Sequence, residues 1–484
     1  MSVIHLLQAD LELTGPASVA APETVSIGSA LLPSLPLARD AWGNPHLPGS
    51  ALAGGLRAHA HPDRRRALFG DPGQDDGGPS HTRAVASTIR VLGTRLTLPD
   101  TGGTPRIRHH TAIDPHRAAA AASTLHSREL LPPHTRLAFW LRIDTDAAGS
   151  PLVPEVVDLL RTWRPRIGGG RTTGLGRAEL VAVRHRVIDL TTPEGLRHWL
   201  TQGGPGLVDE HAVLIHDRSR TTGTPPDEPL LFDPAPRFAL ADSLHIGAGH
   251  TLERSGKSTD IAQVLRDHAG TPLVPGSTWK GVLRSRVAFI LRSTGAATVC
   301  GPETGAATGG CGACEVCRAF GWSGGAGGAG DALGARGLLV FTDSPLADAR
   351  VRVRHHVPLD RVFGGARDGL LHSEEVVEDG RLTLHIRLTA GHRKGSEPSP
   401  VVRACLVLAL IDLAEGRIGL GRGTTRGNGT LTATEPTAAW LAARRDAAVH
   451  TLRTTVASRG LPGDAAPYAG PGSPKESGHQ EVTA

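Results

Sequence analysis

Apolar and polar positions alternate from Ser2 to Leu13, from Arg136 to Ile143 and from Arg381 to Leu388. A period of two predicts strands at these places. Arg237 to Ile246 predicts another strand, and Val401 to Leu413 is an apolar run of helical length. Ser50 and Ser277 stand just ahead of helical patterns, where a hydroxyl can accept from a free first-turn amide, so both are expected N-caps. The chain also holds 61 Gly and 36 Pro, a density of turn formers that argues against a helical bundle. Strands mixed with a few helices predict an α+β fold with helices layered on sheet.

The pattern occurs twice. Ile27-Gly28 returns as Ile246-Gly247, and Arg39-Asp40 as Arg266-Asp267. Leu47 to Arg57 (Leu-Pro-Gly-Ser-Ala-Leu-Ala-Gly-Gly-Leu-Arg) returns as Val274 to Arg284 (Val-Pro-Gly-Ser-Thr-Trp-Lys-Gly-Val-Leu-Arg). Leu68-Phe69-Gly70 returns as Ala319-Phe320-Gly321, and His110 to Asp114 as His356 to Asp360. Ile167-Gly168-Gly169-Gly170-Arg171 returns as Ile418-Gly419-Leu420-Gly421-Arg422. Blocks recurring in one order point to duplication. The expected organisation is a first domain over 1–216, a Pro-, Thr- and Arg-rich linker over 217–236, a second domain over 237–462, and a polar, disordered tail over 463–484.

Composition refines this picture. Aromatics are 3% of 484 residues, so the cores rest on Leu, Val, Ile and Ala. The formal charge of +5 permits a polyanionic partner without requiring one. Lys280 is one of only four lysines, so Arg carries nearly all the positive charge. Arg forks suit phosphate, although codon bias is the plainer account. No apolar run of about 18 residues suggests a membrane span, and Met1 to Glu12 lacks a basic leader. Four of five Cys lie close together, which fits a reducing cytoplasm and a metal site better than disulfides.

The shared blocks suit phosphate. A Pro-Gly-Ser turn entering a helix aims amides outward at the positive end of the helix dipole. Lys280 and Arg284 follow Ser277 by three and seven residues and share a face; Arg57 is the counterpart of Arg284, and Ala53 replaces the Lys. A capped helix with solvated charges is the alternative. The glycine-rich loops carry Arg171, Arg177, Arg422 and Arg426, with glycine allowing close approach of backbone to a phosphate. Cys300, Cys311, Cys314 and Cys317, in the spacing Cys-x10-Cys-x2-Cys-x2-Cys, can close a tetrahedral Zn²⁺ site that holds its loop in shape. An iron–sulfur cluster is the rival, disfavoured by the absence of a Cys-x3-Cys-Pro continuation. Cys405, in an apolar run, reads as core. From the Ile-Gly opening to Arg-Asp, the second copy is eight residues longer than the first, in a loop with Glu253, Arg254, Lys257 and Asp260. The first-copy stretch Gly28 to Ala38 has no acid.

Taken in order, the blocks resemble the RAMP superfamily of CRISPR-associated proteins. They most resemble the backbone subunits of type III (Csm/Cmr) effectors, strongly over 237–435 and more loosely over 1–185. The resemblance implies two tandem ferredoxin-like, RRM-like domains, each with an inserted β-hairpin thumb (106–133 and 352–380), stacked on guide crRNA beside other effector subunits. It implies that Ser50, Arg57, Arg171, Arg177, Lys257, Ser277, Lys280, Arg284, Arg354, His356, Arg361, Arg422 and Arg426 contact RNA, with Val362 and Phe363 as an apolar wedge. It implies that Asp260, one residue farther from Asp267 than in the family, serves cleavage of target RNA with Mg²⁺ or another divalent cation. A purely structural crRNA-binding subunit and a guide-processing endoribonuclease are the alternatives.

Overall fold

The computed structural model describes residues 2–21, 25–26, 33–71, 84–114, 117, 119–122, 124–145, 149–202, 204–208, 211–220, 228–252, 261–300, 310–323, 334–367, 370–389 and 397–459. The tail expected to be disordered, 463–484, lies outside them. Each half runs strand, helix, strand, strand, helix, strand. In the first half these are Val3–Leu13, Gly49–His59, Ile89–Thr97, Arg136–Thr145, Leu152–Thr162 and Ala178–Asp189. Strand Val3–Leu13 is central, antiparallel to both Ala178–Asp189 and Arg136–Thr145. Ile89–Thr97 pairs with the outer side of Arg136–Thr145, and Val213–Asp217 extends the other edge.

Alternation fixes which side chains point inward. Leu7, Leu11 and Leu13 meet Leu52 and Leu56 of one helix and Val156, Val157 and Leu160 of the other. Phe139 packs edge-on to Trp163 at 6.4 Å. On the opposite face Ile4 and Leu6 meet Ile188, Leu207 and Trp199. Each such Leu or Ile stabilises the fold by about 1.5–3 kcal/mol.

The second half repeats the order with Arg237–Leu240, Gly276–Thr294, Leu339–Phe341, Ile386–Leu388, Pro400–Ala414 and Leu431–Ala433. Arg237–Leu240 pairs with Leu431–Ala433 and with His372–Thr383, while Leu339–Phe341 pairs with Ile386–Leu388. Phe320 stacks on Phe341 at 5.8 Å over a core that includes Trp279 and Cys405. Burial pushes the Cys405 thiol up to about 12. Helix Pro400–Ala414 is buried nearly all round because Glu435–Ser458 packs on its outer side.

Three sequence readings change. The expected strands Arg237 to Ile246 and Arg381 to Leu388 are shorter or broken, ending at Leu240 and interrupted after Thr383. The helices start at Gly49 and Gly276 with Pro48 and Pro275 as caps, so Ser50 and Ser277 lie in the first turn and cap nothing. The repeat register also shifts. Ala38 N donates to Val19 O as Leu265 N donates to Ile246 O. Val19, not Ile27, is therefore the counterpart of Ile246. Val19 precedes Arg39 by 20 positions and Ile246 precedes Arg266 by 20, so the eight-residue insertion does not exist. Pro33 is the counterpart of Asp260, and Glu23 falls opposite His250.

Candidate nucleic-acid interface and metal centre

Each half carries a hairpin that leaves the sheet. Arg106–His110 pairs with His126–Leu130, and Ala347–His356 with His372–Thr383. The registers match: Arg108 faces Arg128 where Arg354 faces Glu374, and His110 faces His126 where His356 faces His372. The imidazoles stack in both halves, with centroids 5.3 Å and 4.9 Å apart. His126-Ser127-x-Glu129 and His372-Ser373-x-Glu375 are thus a further repeated block that the sequence reading missed. The signal was its equal distance from His110 and His356. Glu129 accepts from Leu37 N at 2.8 Å and Arg39 Nη2 at 2.6 Å. Glu375 accepts from Val264 N at 3.0 Å and Arg266 Nη2 at 3.2 Å. The repeated Arg-Asp block therefore ties each hairpin root to the sheet.

The tip of the second hairpin is ordered by Asp360, whose Oδ1 accepts from Val362 N at 2.8 Å and Phe363 N at 3.1 Å. Val362 and Phe363 are 84% and 87% exposed beside exposed Arg361. Deeper, Arg354 donates to Ser243 Oγ at 2.8 Å and Glu378 Oε1 at 3.3 Å, and Ser243 Oγ donates to Asn428 Oδ1 at 2.6 Å. Asn428 belongs to the glycine-rich loop, so hairpin and loop form one surface.

The glycine loops match in a register two residues off the sequence alignment. Ile167 N donates to Gly176 O as Leu420 N donates to Gly429 O, and Gly170 and Gly423 (φ 69° and 76°) open the same 3₁₀ turn. Arg422 therefore answers to Gly169, Arg171 to Thr424, Arg426 to Thr173 and Arg177 to Thr430. A Cβ on Gly169 would stand 2.5 Å from Arg128 Nη1. Arg128 from the strand thus occupies the space that Arg422 enters from the loop in the other half. Arg171 Nε donates to Gly168 O at 2.9 Å, while Arg422 and Arg426 remain exposed.

The start of the second-half helix is engaged within the protein. Gly276 N donates to Asp343 Oδ1 at 2.9 Å, and Asp343 Oδ2 pairs with Arg108 Nη2 of the first half at 2.9 Å. The expected phosphate position beside Ser277 therefore holds a carboxylate. Lys280 Nζ donates to Thr172 Oγ1 at 2.8 Å. Burial, with the neighbouring Arg284 charge, takes the Lys280 pKa down to about 8. Arg284 Nη1 donates to Gly321 O at 2.8 Å, and Arg57 Nη1 likewise holds Phe69 O at 3.2 Å and Gly70 O. The two repeated arginines pin the repeated Phe-Gly turns. Exposed Ser50 and half-buried Arg57 line an open groove of about 510 Å³ with Gly49 and Ala53. The first hairpin lies against the second half: Gly249, at φ +86°, leaves no room for a Cβ, which would sit 2.5 Å from the His109 ring.

The Sγ atoms of Cys300, Cys311, Cys314 and Cys317 all lie within 4.8 Å of one another. Cys300 Sγ is 3.7 Å from Cys314 Sγ and 3.5 Å from Cys317 Sγ. Four thiolates about 2.3 Å from one Zn²⁺ stand roughly 3.8 Å apart, so the residues fit a metal such as zinc. Amides of Cys311, Cys314 and Cys317 point at sulfurs at 3.3–3.5 Å. Ser399, the cap of helix Pro400–Ala414, donates to Glu315 Oε2 at 2.6 Å and fixes the knuckle to the core. Lys257 and Asp260, with Glu253 and Arg254, lie outside the described residues. The strand that follows them pairs in parallel with the hairpin, Ile261 with Ser373 and Ala262 with Glu374.

Among the described residues no helix is long and apolar enough to cross a membrane. A search of curated proteins finds no match. A family profile described as the RAMP superfamily matches residues 25–179 and again residues 239–432, one match in each half.

Proposed function

The chain belongs to the RAMP superfamily, and from that premise we propose that it is a double backbone subunit of a type III CRISPR ribonucleoprotein. In this reading it holds guide crRNA across both halves, sits beside other effector subunits in the cytoplasm, and cuts paired target RNA through the second half. Family membership fits a CRISPR-associated RNA-binding role. The observation that carries the reading is the recurrence, in each half, of a glycine-rich loop beside a hairpin root bearing arginines and stacked histidines.

The strand–helix–strand–strand–helix–strand order, with Val3–Leu13 between the third and last strands of its half and Arg237–Leu240 between His372–Thr383 and the last strand of its own, supports two ferredoxin-like domains. Their proposed bounds are 1–216 and 237–462, with 217–236 between them and the hairpins as thumbs. Exposed or half-exposed Ser50, Arg177, Arg354, His356, Arg361, Arg422 and Arg426 are the proposed phosphate and sugar contacts. Arg57, Arg171, Lys280 and Arg284 act chiefly by holding the loops and the junction that present them, and Ser277 sits in the first turn of its helix without capping it. The Cys₄ knuckle would hold Zn²⁺ structurally. Asp260 would serve the cut with Mg²⁺, which supplies charge neutralisation at the scissile phosphate when bound, and Lys257 would stand near it.

The test is co-expression with a repeat–spacer RNA, purification, and challenge with a labelled complementary RNA. A guide-sized RNA retained at 1:1 and cutting abolished by Asp260→Ala are expected. A purified protein that retains no RNA sinks the reading.

A further inference from the structure

At the root of the second hairpin a carboxyl group sits nearly out of water: Glu374 is 1% exposed. Its Oε1 lies 3.0 Å from His356 Nε2. Its Oε2 has no hydrogen-bond partner and stands 4.0 Å from Arg422 Nη1. Leaving a buried oxygen unsatisfied costs about 1–3 kcal/mol, and a native fold that keeps such a group calls for a reason. The His356 side chain is 31% exposed, so it is anchored at one ring nitrogen and still meets solvent. Stacking on His372, 16° from parallel, fixes the ring plane.

The first half shows what this position looks like without the acid. His110 there has Arg128 across the hairpin in place of Glu374, and its Nε2 is buried without a partner. Burial, followed by the charges of Arg108, His126 and Arg128, takes its pKa down to about 4. An imidazole beside cations makes a poor base; an imidazole on a buried carboxylate makes a good one.

We propose that His356 is a proton-transfer residue of the second half, oriented by Glu374, and that it acts on the ribose 2′-hydroxyl of an RNA strand lying along the hairpin root. The proposal rests on the RNA-cleaving reading above and names a residue which that reading lacks. His356 Nδ1 takes the 2′-hydroxyl proton. O2′ bonds to the adjacent phosphorus, the P–O5′ bond breaks, and solvent water supplies the proton that O5′ gains. The products are a 2′,3′-cyclic phosphate and a 5′-hydroxyl, with no change of oxidation state. Glu374 is too buried to touch RNA and is a positioning residue. The charged and titratable groups around His356 are Glu374 and His372 on the partner strand, Arg354 and His355 on its own strand, and Arg422 on the glycine loop.

The test uses the full chain loaded with guide RNA and a 5′-labelled complementary RNA under single-turnover conditions from pH 5 to 9. His356→Ala gives up one of seven proposed RNA contacts, so it should still load guide RNA through the other six and lose on the order of 10²–10⁴-fold in rate. Free imidazole should restore part of that loss. Glu374→Gln should keep its guide RNA and change the pH–rate profile, and Glu374→Asp should restore part of the wild-type profile. If His356→Ala fails to load guide RNA, His356→Asn, which keeps a donor toward Glu374, gives the same readout. A wild type that cuts, with Asp260→Ala dead and His356→Ala as fast as wild type, overturns the dyad alone. A wild type that pairs with target RNA and never cuts it overturns the dyad and the cleavage reading together.

Discussion

Arg108 of the first half closes on Asp343 of the second at 2.9 Å, and the same carboxylate caps the helix that begins at Gly276. With side chains 7% and 18% exposed, this is a largely buried pair. Removing one partner of such a pair leaves an uncompensated charge and costs about 3–5 kcal/mol. Arg108→Ala should therefore destabilise the junction, and Asp343→Asn, which can still accept from Gly276 N, should do so less. Calorimetry reads the outcome: one cooperative transition in the wild type should separate into two in Arg108→Ala. A single transition at an unchanged temperature would show that the pair contributes nothing.

Lys280 gives that junction a pH dependence of known sign. Its pKa falls from 10.5 to about 8 in the folded chain, first through burial and then through Arg284. The unfolded chain then binds the extra proton between about pH 8 and 10.5, so stability rises with pH across that window, by at most ~1.4 kcal/mol per unit. Below pH 8 the full penalty of the buried ammonium is present. Lys280→Met, similar in length and uncharged, should flatten the rise. Denaturant midpoints of the two proteins at pH 7.5, 9 and 10 measure it; parallel curves would place the ammonium in solvent.

Much of this was written in the chain, unevenly. The alternation in Val3–Leu13 and the apolar run Val401 to Leu413 located their elements, because side-chain burial there follows periodicity alone. The Cys spacing located the knuckle, because ligand geometry limits loop length. The repeat was visible, but its register was not. Ile27-Gly28 and Ile246-Gly247 share letters, yet it is the backbone bonds of Val19 and Ile246 that coincide. Arg57 and Arg284 read as phosphate grips because a sequence shows a charge and not its neighbour; the neighbours are the Phe-Gly carbonyls. Glu374 escaped notice because its importance comes from burial and from facing His356, neither of which is local in sequence.

The Cys₄ knuckle should hold one metal ion per chain, and its loss should be felt in the second core. Cys317 is buried, and Glu315 holds the cap of helix Pro400–Ala414, so the knuckle is continuous with packed structure. Cys311→Ser should release metal and lower the melting temperature, as should a strong chelator on the wild type. Elemental analysis beside a thermal melt checks both. A metal-free protein with an unchanged melt would make the cluster four free thiols.

RNA binding should weaken steeply with salt, because each phosphate neutralised releases counterions. Arg422 and Arg426 are exposed on the second glycine loop, whereas Arg171 at the first is tied to Gly168 O. Removing a guanidinium that meets one phosphate lowers the slope of log K against log salt by about 0.7 for a single strand. Arg422→Ala and Arg426→Ala should each show that drop; Arg426→Ala should melt as wild type, since it holds no turn, whereas Arg422→Ala should melt lower, because it takes away the guanidinium 4.0 Å from buried Glu374. Lys280→Ala with Arg284→Ala should show the opposite pattern: a lower melting temperature, from the lost Thr172 and Gly321 bonds, and an unchanged slope among the molecules that stay folded. Filter binding of a fixed guide RNA from 50 to 500 mM salt, beside melts of the same preparations, separates the two classes. Equal slopes for wild type and Arg422→Ala would remove the glycine loop from the RNA path.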